Sequence, residues 1–260
     1  MYIEVAAHRG NVFGYPENSI PAFESAYEIN ADSIELDLRM TADGEIVIIH
    51  DNDLARTSDI EGKIKELTLE QINKADIGIK TDEKFKGTRV PTFREFLELT
   101  KRDEKMTFNF EFKDYFHKEG EEFAKKSADK IIALIDEYDL SSRCYVNSFD
   151  GALLKYIDDK YEGKYRLHGF YPFEILGDIY PGNLYCACLW KRRSDPSEDV
   201  VNQKADFDAL KSLGIHPWVG ASIKAEVDVV KAVEYGAELF TSNEPEILMD
   251  ILKKHGFRNR

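Results

Sequence analysis

The chain carries acidic and imidazole side chains in a stretch that otherwise has the pattern of buried strands. Residues 34–51 run IELDLRMTADGEIVIIHD, with Glu35 and Asp37 inside one apolar run and His50 at the end of a second. Side chains alternate between the two faces of a strand, so Glu35 and Asp37 point to the same face. Because buried charge is costly unless it is paired or bound to a metal, this face is a candidate for chemistry.

A hairpin would bring the histidine to the acids. The interval between the two apolar runs is too short for the crossover that parallel strands need, and Asp43-Gly44 is a strong hairpin signal. If these two residues form the turn, His50 lies opposite Asp37. Directly paired residues share a face of the sheet, so we expect the imidazole to lie beside the carboxylates.

A further strand adds a third acid. The sequence FNFEFK alternates aromatic and polar side chains, which places Asn109, Glu111 and Lys113 on one face. Glu111 joins Glu35 and Asp37 to make three hard oxygen donors. Such a set suits Mg²⁺ or Ca²⁺ and not an ion that prefers thiolates.

Salt bridges offer a different interpretation of the same acids. Arg9, Arg39 and Lys113 could neutralise them without a metal. We do not expect all three cations to lie close to that end of the sheet, so the three inward acids outnumber their nearby partners, which favours the metal site.

His8 and Arg9 follow the first predicted strand and precede Gly10, which lets the chain turn away. Alone, such a pair is typical of a structural histidine beside a surface arginine. Near a metal, however, His8 and His50 suggest a general acid and a general base, since imidazole titrates near neutrality. Arg9 and Lys113 would neutralise an anion that bridges to the metal, and the whole set indicates phosphoryl transfer at a phosphodiester.

The elements that must position these residues alternate between β-rich runs and amphipathic segments. This order is typical of an α/β fold, and the chain length suits a (β/α)8 TIM barrel, whose reacting face lies at the carboxyl ends of its strands. The predicted strands are Ile3–Ala7, Ser33–Leu38, Ile46–His50, Thr107–Phe112, Cys144–Phe149, Arg166–Phe170, Leu184–Leu189, His216–Gly220 and Glu238–Thr241. The predicted helices include Glu121–Tyr138, Phe207–Leu213, Val227–Tyr235 and Ile247–Lys254. These are nine predicted strands, whereas the barrel has eight, and the hairpin strand is the one in excess.

We expect residues 1–260 to form a single domain with an insertion above the barrel at about 51–105. Within that insertion, Thr68 and Thr92 each begin a capping-box pattern before a short helical segment.

The composition of the chain limits the kinds of partner that it can bind. The chain has 35 basic and 49 acidic side chains and a formal charge of −14, which disfavours nucleic acid and anionic membranes but leaves room for one bound phosphate. Three cysteines are too few for a disulfide framework, and we interpret Cys186 and Cys188 as small core residues and not as metal ligands. No leader pattern and no stretch of membrane-spanning length occurs, so we expect a soluble, cytoplasmic protein without membrane insertion.

A series of motifs runs in order through about the first 115 residues. They are Ala7-His8-Arg9-Gly10, Pro16-Glu17-Asn18-Ser19, Ala22-Phe23, Ile34-Glu35-Leu36-Asp37-Leu38, Thr41, Asp43-Gly44, His50-Asp51, Leu54, Arg56-Thr57, Val90-Pro91-Thr92 and the strand from Asn109 to Lys113. Together these motifs strongly resemble the glycerophosphodiester phosphodiesterases.

The resemblance implies a TIM barrel with an insertion after the His-Asp motif and hydrolysis of a small glycerophosphodiester to an alcohol and glycerol 3-phosphate. It implies that His8 and His50 are the acid–base pair and that Arg9 and Lys113 contact phosphate. It gives Glu17 a supporting polar role near the site. The implied ligands of one divalent cation, Mg²⁺ or Ca²⁺, are Glu35, Asp37 and Glu111.

The second half of the chain resembles the family less closely. Ser148-Phe149-Asp150 is similar to a serine-phenylalanine motif of the family, and Trp218 stands where members have a tryptophan. Residues 219–221 and 241–245 depart from the family pattern, and the second segment lacks its aspartate. Both departures bear on substrate preference. Trp218 would either bind a substrate head group by stacking or fill the core.

Two other functions fit parts of the pattern. A lysophospholipase D-type phosphodiesterase predicts an exposed apolar rim at the barrel mouth, and no long apolar loop supplies one. A catalytically silent barrel that binds phosphorylated ligands predicts loss of a histidine or of a metal-binding acid, and all five residues are present. The sequence leaves open the head group, the metal, the oligomeric state, and whether water or the neighbouring glycerol hydroxyl attacks first.

Overall fold

The structure, a computed structural model, describes residues 2–177, 182–190 and 199–259. Eight parallel strands form a closed barrel, because the first strand pairs with the second as well as with the last. The strands are β1 Glu4–Ala7, β2 Ser33–Met40, β3 Ile46–Ile48, β4 Thr107–Phe112, β5 Cys144–Asn147, β6 Arg166–Tyr171, β7 Leu184–Leu189, β8 His216–Val219 and β9 Leu239–Ser242. The predicted TIM barrel is confirmed. Each predicted strand begins and ends within two residues of the observed strand.

Helices surround the barrel. They are α1 Ile20–Glu28, α2 Leu69–Ile72, α3 Phe93–Leu99, α4 Phe116–Glu119, α5 Glu121–Glu137, α6 Gly151–Lys160, α7 Lys204–Ser212, α8 Glu226–Tyr235 and α9 Pro245–Lys254. Both predicted capping boxes form, and their threonine side chains accept hydrogen bonds from the third residues of α2 and α3. Within the described ranges, none of the helices is long and apolar enough to cross a membrane.

The ninth strand, β3, is the predicted hairpin partner, but its register differs from the prediction. It runs antiparallel to β2 with Leu38 opposite Ile48, so Ile49 and not His50 lies opposite Asp37, whose carbonyl oxygen accepts the Ile49 N–H. The reason is the loop, which has three residues, 42–44, where two were predicted. Gly44 adopts a positive φ of 85° there, as the third residue of such a loop requires.

This shift of one residue would turn His50 away from the acids if the strand continued. The strand instead ends at Ile48, and the chain bends so that His50 lines the cavity at the mouth of the barrel. The histidine therefore reaches the predicted place by leaving the ladder and not by pairing within it.

Packing on β4 explains its alternating sequence. Phe108 and Phe110 point outward and meet Phe96 and Phe93 of α3 edge to face, with ring centroids 5.5 Å and 5.0 Å apart. The residues between them, Asn109 and Glu111, therefore point into the barrel. The aromatic positions form the core, and the polar positions are left for the cavity.

The segment predicted as an insertion divides into two parts. The first part packs against the end of the hairpin to form a small second core, and α3 completes the crossover from β2 to β4 with its aromatic side chains in the main core. The residues of the second core are Val47, Ile49, Leu54, Ile64, Ile72, Ala75, Ile77 and Val90. The three cysteines are free and buried in the barrel strands.

One row of paired positions carries polar residues around the inside of the barrel. Asp37 of β2 pairs with Glu111 of β4, which pairs with Asn147 of β5, which pairs with His168 of β6. Register partners on parallel strands share a face, so this row brings four polar side chains to one level of the cavity.

Arg39 ties the loops that carry two of the predicted site residues. Its guanidinium, only 4% exposed, donates twice to the carbonyl oxygen of His50, at 3.1 Å and 2.9 Å, and once to that of Lys113, at 3.1 Å. It also lies 3.4 Å from a carboxylate oxygen of Asp114, which is buried too. This contact joins the end of β3 to the end of β4.

Replacing this arginine tests its contribution to stability. We expect Arg39→Met to lower the free energy of unfolding by about 3–5 kcal/mol, because Asp114 and two carbonyl oxygens lose their buried partner. Urea denaturation measures the change. Arg94→Met is the matched control, since Arg94 pairs with Glu137 on the surface and should contribute far less. Equal stability of the two variants would contradict the assigned role.

Candidate active site

A cavity of about 430 Å³ opens at the carboxyl ends of the barrel strands. Most of the predicted site residues line it: His8, Arg9, Glu35, His50, Glu111 and Lys113. A larger recess of about 780 Å³ lies at the opposite end of the barrel, with Asp32 and Arg258 in its wall. The chemistry-bearing residues are thus gathered at the end where TIM barrels react.

Three acids meet at the base of this cavity. Glu35, Asp37 and Glu111 are 2%, 1% and 6% exposed, and one carboxylate oxygen from each lies within 4.8 Å of the others. Burial and the two neighbouring acids raise the pKa of Glu35 well above its usual range. Burial alone would also raise the pKa of Asp37, but Lys113 and Arg9 outweigh it and lower that pKa.

The acids fit a divalent cation better than a set of salt bridges. Among the described residues, Lys113 Nζ lies 2.7 Å from a Glu111 oxygen and Arg9 Nε lies 3.3 Å from an Asp37 oxygen. Oε1 of Glu35 and Oδ1 of Asp37 are nevertheless buried without a hydrogen-bond partner. Such orphaned oxygens are costly in a folded protein, and a hard cation that takes oxygen ligands would satisfy both.

Arg39, the third cation in the salt-bridge interpretation, lies away from the cluster: its guanidinium donates to the carbonyl oxygens of His50 and Lys113 and pairs with the carboxylates of Asp114 and Glu119.

His8 lies directly after β1 and is held by a residue directly after β9. Its Nδ1 lies 2.6 Å from Oδ1 of Asn243, an amide oxygen that can only accept, so Nδ1 donates. Its Nε2 faces the acids, 3.8 Å from Oε2 of Glu35. Burial, with the nearby Arg9 cation, lowers the pKa of His8 despite the bond to Asn243. The ring is thereby fixed with Nε2 directed at the site.

His50 is held in the same way by its neighbour in the chain. Its Nδ1 lies 2.6 Å from Oδ1 of Asp51, and the other oxygen of Asp51 is paired with Arg56. Both histidines therefore use Nδ1 for support and keep Nε2 for other contacts. The partner of His8 is a neutral amide, and the partner of His50 is a carboxylate.

The backbone at Arg9 also contributes to the site. Arg9 has a positive φ of 57°, and its N–H donates to Oε2 of Glu35 at 2.8 Å. Gly10 follows with a φ of 82°, and a Cβ atom at that position would lie 2.8 Å from the backbone of Ala22. The glycine is required both for the turn and for the close packing of α1.

Two other predicted residues lie beside the acids. Glu17 accepts hydrogen bonds from Arg9, at 3.0 Å, and from Arg56, and it thus fixes the arginine side chain without lining the cavity itself. Lys113 bonds to Glu111 and lies 3.6 Å from Asp37. The predicted phosphate contact of Lys113 and the supporting polar role of Glu17 remain predictions.

Trp218 does not lie where a substrate could stack on it. It is 1% exposed, its Nε1 donates to Thr241 at 2.7 Å, and its ring stacks on His168 with centroids 4.4 Å apart. Of the two roles left open for Trp218, the structure therefore favours the one in the core over contact with substrate, since this inward position on β8 lies beneath the cavity and fills the barrel. A different tryptophan, Trp190 after β7, lines the cavity and is 46% exposed.

Sequence reasoning missed several partners of the predicted residues. Asn243 was noted only as part of a departure from the family pattern, although its place after the last strand puts it next to His8 once the barrel closes. Asn18 was quoted only as part of a motif and was given no role, yet its side chain exchanges two hydrogen bonds with Asp37. The signal for Asn243 was its position directly after a strand. The signal for Asn18 was its place in a motif that follows the first strand.

Comparisons with known proteins agree with this geometry. The model of the glycerophosphoryl diester phosphodiesterase family matches residues 8–178. A glycerophosphodiester phosphodiesterase of Caldanaerobacter subterraneus is 30% identical over 97% of this chain and 98% of its own length.

Solved structures share the fold. One from Silicibacter pomeroyi has a TM-score of 0.83 at 18% identity, covering 99% of this chain and 95% of that one. A phosphodiesterase from Oleispira antarctica, solved with the product sn-glycerol-3-phosphate, has a TM-score of 0.78 at 19% identity over 96% of both chains. The family match and the near full-length relative show that the chain belongs to the glycerophosphoryl diester phosphodiesterase family.

Proposed function

We propose that this chain hydrolyses glycerophosphodiesters to an alcohol and glycerol 3-phosphate, with one divalent cation held by Glu35, Asp37 and Glu111. The observation that carries the proposal is a buried acid cluster in which two oxygens lack a hydrogen-bond partner, flanked by two histidines that are both held through Nδ1. The glycerol 3-phosphate bound to the Oleispira antarctica phosphodiesterase supports the choice of product.

The chain's own residues bind and orient the phosphodiester. Arg9 and Lys113 line the cavity on either side of the acids and supply positive charge to the phosphate oxygens. Glu17 holds the Arg9 side chain, and Glu111 holds the Lys113 ammonium, so neither cation needs to reorganise on binding. When bound, the cation would add Lewis-acid polarisation of the phosphoryl oxygens.

Proton transfer falls to the two histidines. One Nε2 accepts the proton of the attacking hydroxyl, and the other donates a proton to the departing alkoxide. His8, whose pKa is lowered and whose partner is the neutral Asn243, is suited to the accepting role. His50, which is paired with the Asp51 carboxylate, is suited to the donating role. The attacking hydroxyl belongs to water or to the adjacent glycerol carbon.

A second candidate substrate has one observation in its favour. Phe149, Phe170 and the exposed Trp190 form an aromatic wall on one side of the cavity, which the sequence did not reveal. Such a wall could receive the apolar part of a lysophospholipid.

We also propose a cytoplasmic location for the protein. Its three cysteine thiols are free and buried, which suits a reducing compartment.

The histidine roles predict large losses of turnover. His8→Ala and His50→Ala should each lower kcat for glycerophosphocholine by about 10²- to 10⁴-fold, since each removes one proton transfer. His216→Ala serves as the control, because this histidine pairs with Glu238 at the start of β8, away from the cavity. Steady-state release of choline measures the effect. Activity retained in either site variant would refute the acid–base assignment.

The metal site predicts a thermal shift on binding. Adding Mg²⁺ or Ca²⁺ to chelator-treated enzyme should raise the melting temperature by roughly 5 °C when the ion is at about 100 times its Kd. Glu35→Gln should abolish this shift, whereas Glu98→Gln, an exposed change on α3, should leave it intact. EDTA should stop choline release in parallel. A shift of unchanged size in Glu35→Gln would place the ion elsewhere.

The aromatic wall separates the two candidate substrates. If glycerophosphodiesters are the substrates, glycerophosphocholine should be hydrolysed with a higher kcat/KM than lysophosphatidylcholine, and Trp190→Ala should change this ratio little. If lysophospholipids are preferred, the same variant should lower their kcat/KM by about 10-fold, because an acyl chain loses its aromatic contact. Parallel assays of choline release from both compounds decide between them.

A further inference from the structure

Two polar side chains deep in the cavity have no function in the mechanism above. Asn147 of β5 and His168 of β6 are register partners, and Asn147 also pairs with Glu111, a proposed metal ligand. Both residues line the cavity, yet they are only 3% and 2% exposed. They extend the level of the acids around the inside of the barrel.

Each of the two presents an acceptor that nothing satisfies. Within the described part of the chain, Oδ1 of Asn147 and Nε2 of His168 are buried and have no hydrogen-bond partner. Nδ1 of His168 lies 3.2 Å from Oδ1 of Asn109, so it donates and Nε2 carries the lone pair. Burial lowers the pKa of His168 to about 3, which keeps the ring neutral. Unsatisfied buried acceptors are rare in folded proteins and call for a donor.

The chemistry of the acceptors limits the ligand. Phosphate oxygens that carry negative charge cannot donate to them. An ammonium group could donate, but it would be buried without a free counter-ion, because Glu111 is already bonded to Lys113 and Tyr115. Two adjacent neutral O–H groups satisfy both acceptors at no cost in charge.

We propose that Asn147 and His168 bind the two free hydroxyl groups of the substrate's glycerol half. This inference rests on the proposed function, which places the phosphate between Arg9, Lys113 and the acids. The glyceryl carbons then extend along the row toward β6, and the alcohol that leaves occupies the mouth of the cavity. Asn147 and His168 thereby set the specificity for a vicinal diol.

The test compares ligands that differ in their hydroxyl groups. Isothermal titration of the Mg²⁺-loaded enzyme measures the Kd of glycerol 3-phosphate, propyl phosphate and phosphoethanolamine. We expect glycerol 3-phosphate to bind at least about 10-fold more tightly than propyl phosphate, since each neutral hydrogen bond contributes about 3- to 10-fold. Phosphoethanolamine should bind no more tightly than propyl phosphate.

Variants assign the preference to the two residues. Asn147→Leu and His168→Phe keep the side-chain shape and should each weaken glycerol 3-phosphate by about 3- to 10-fold while leaving the Kd of propyl phosphate unchanged. His216→Phe repeats one substitution outside the cavity and should change neither Kd. Binding of propyl phosphate also reports whether each variant is folded.

Three outcomes would overturn the inference: equal affinity of the wild-type enzyme for glycerol 3-phosphate and propyl phosphate, tightest binding of phosphoethanolamine, or unchanged selectivity in both variants. The first would mean that buried water satisfies the two acceptors. None of these results depends on turnover. Selective binding without hydrolysis of glycerophosphocholine would contradict the proposed function, whereas hydrolysis without selective binding would contradict this inference alone.

Discussion

The burial of three carboxylates at one point is the constraint on which the site depends. Glu35, Asp37 and Glu111 come from two neighbouring strands and are almost fully removed from water, where negative charge is expensive. The chain provides only part of the compensation, with Arg9 and Lys113 beside the cluster and two buried oxygens left without a hydrogen bond. A cluster of this kind is stable only when further positive charge or a proton is present, and that requirement is what makes it suitable for holding a cation.

Much of the surrounding structure serves to keep these groups in place. The backbone of Arg9 takes a left-handed conformation to donate to Glu35, and Asn18 fixes Asp37 by two bonds. Arg39 links the segments after β3 and β4, so that His50 and Lys113 share one buried support. Supporting contacts of this kind allow a cavity lined by polar side chains to remain rigid within a barrel whose remaining core is apolar and aromatic.

The sequence predicted the barrel and the acid cluster because both depend on local periodicity. The alternation of side chains on β2 and β4 predicted that the acids point inward, and the pairing of these two strands brings the acids together. The predicted register of the hairpin was wrong by one residue because the length of the loop, and not the Asp43-Gly44 pair alone, sets the register. The two roles of Trp218 could not be told apart because period-two reasoning tells which face a side chain takes but not its depth in the barrel. Contacts such as His8 to Asn243 span 235 residues and follow only from closure of the barrel, which no local pattern encodes.

The proposed site holds one divalent cation among the three acids, between the two histidines. Anomalous scattering from a crystal soaked in Mn²⁺, an ion with similar oxygen ligands, tests it most directly. We expect one strong peak in coordination contact with Glu35, Asp37 and Glu111. A crystal that shows no peak there, or that shows a peak at another site while these carboxylates bind no ion, would refute the proposed metal site.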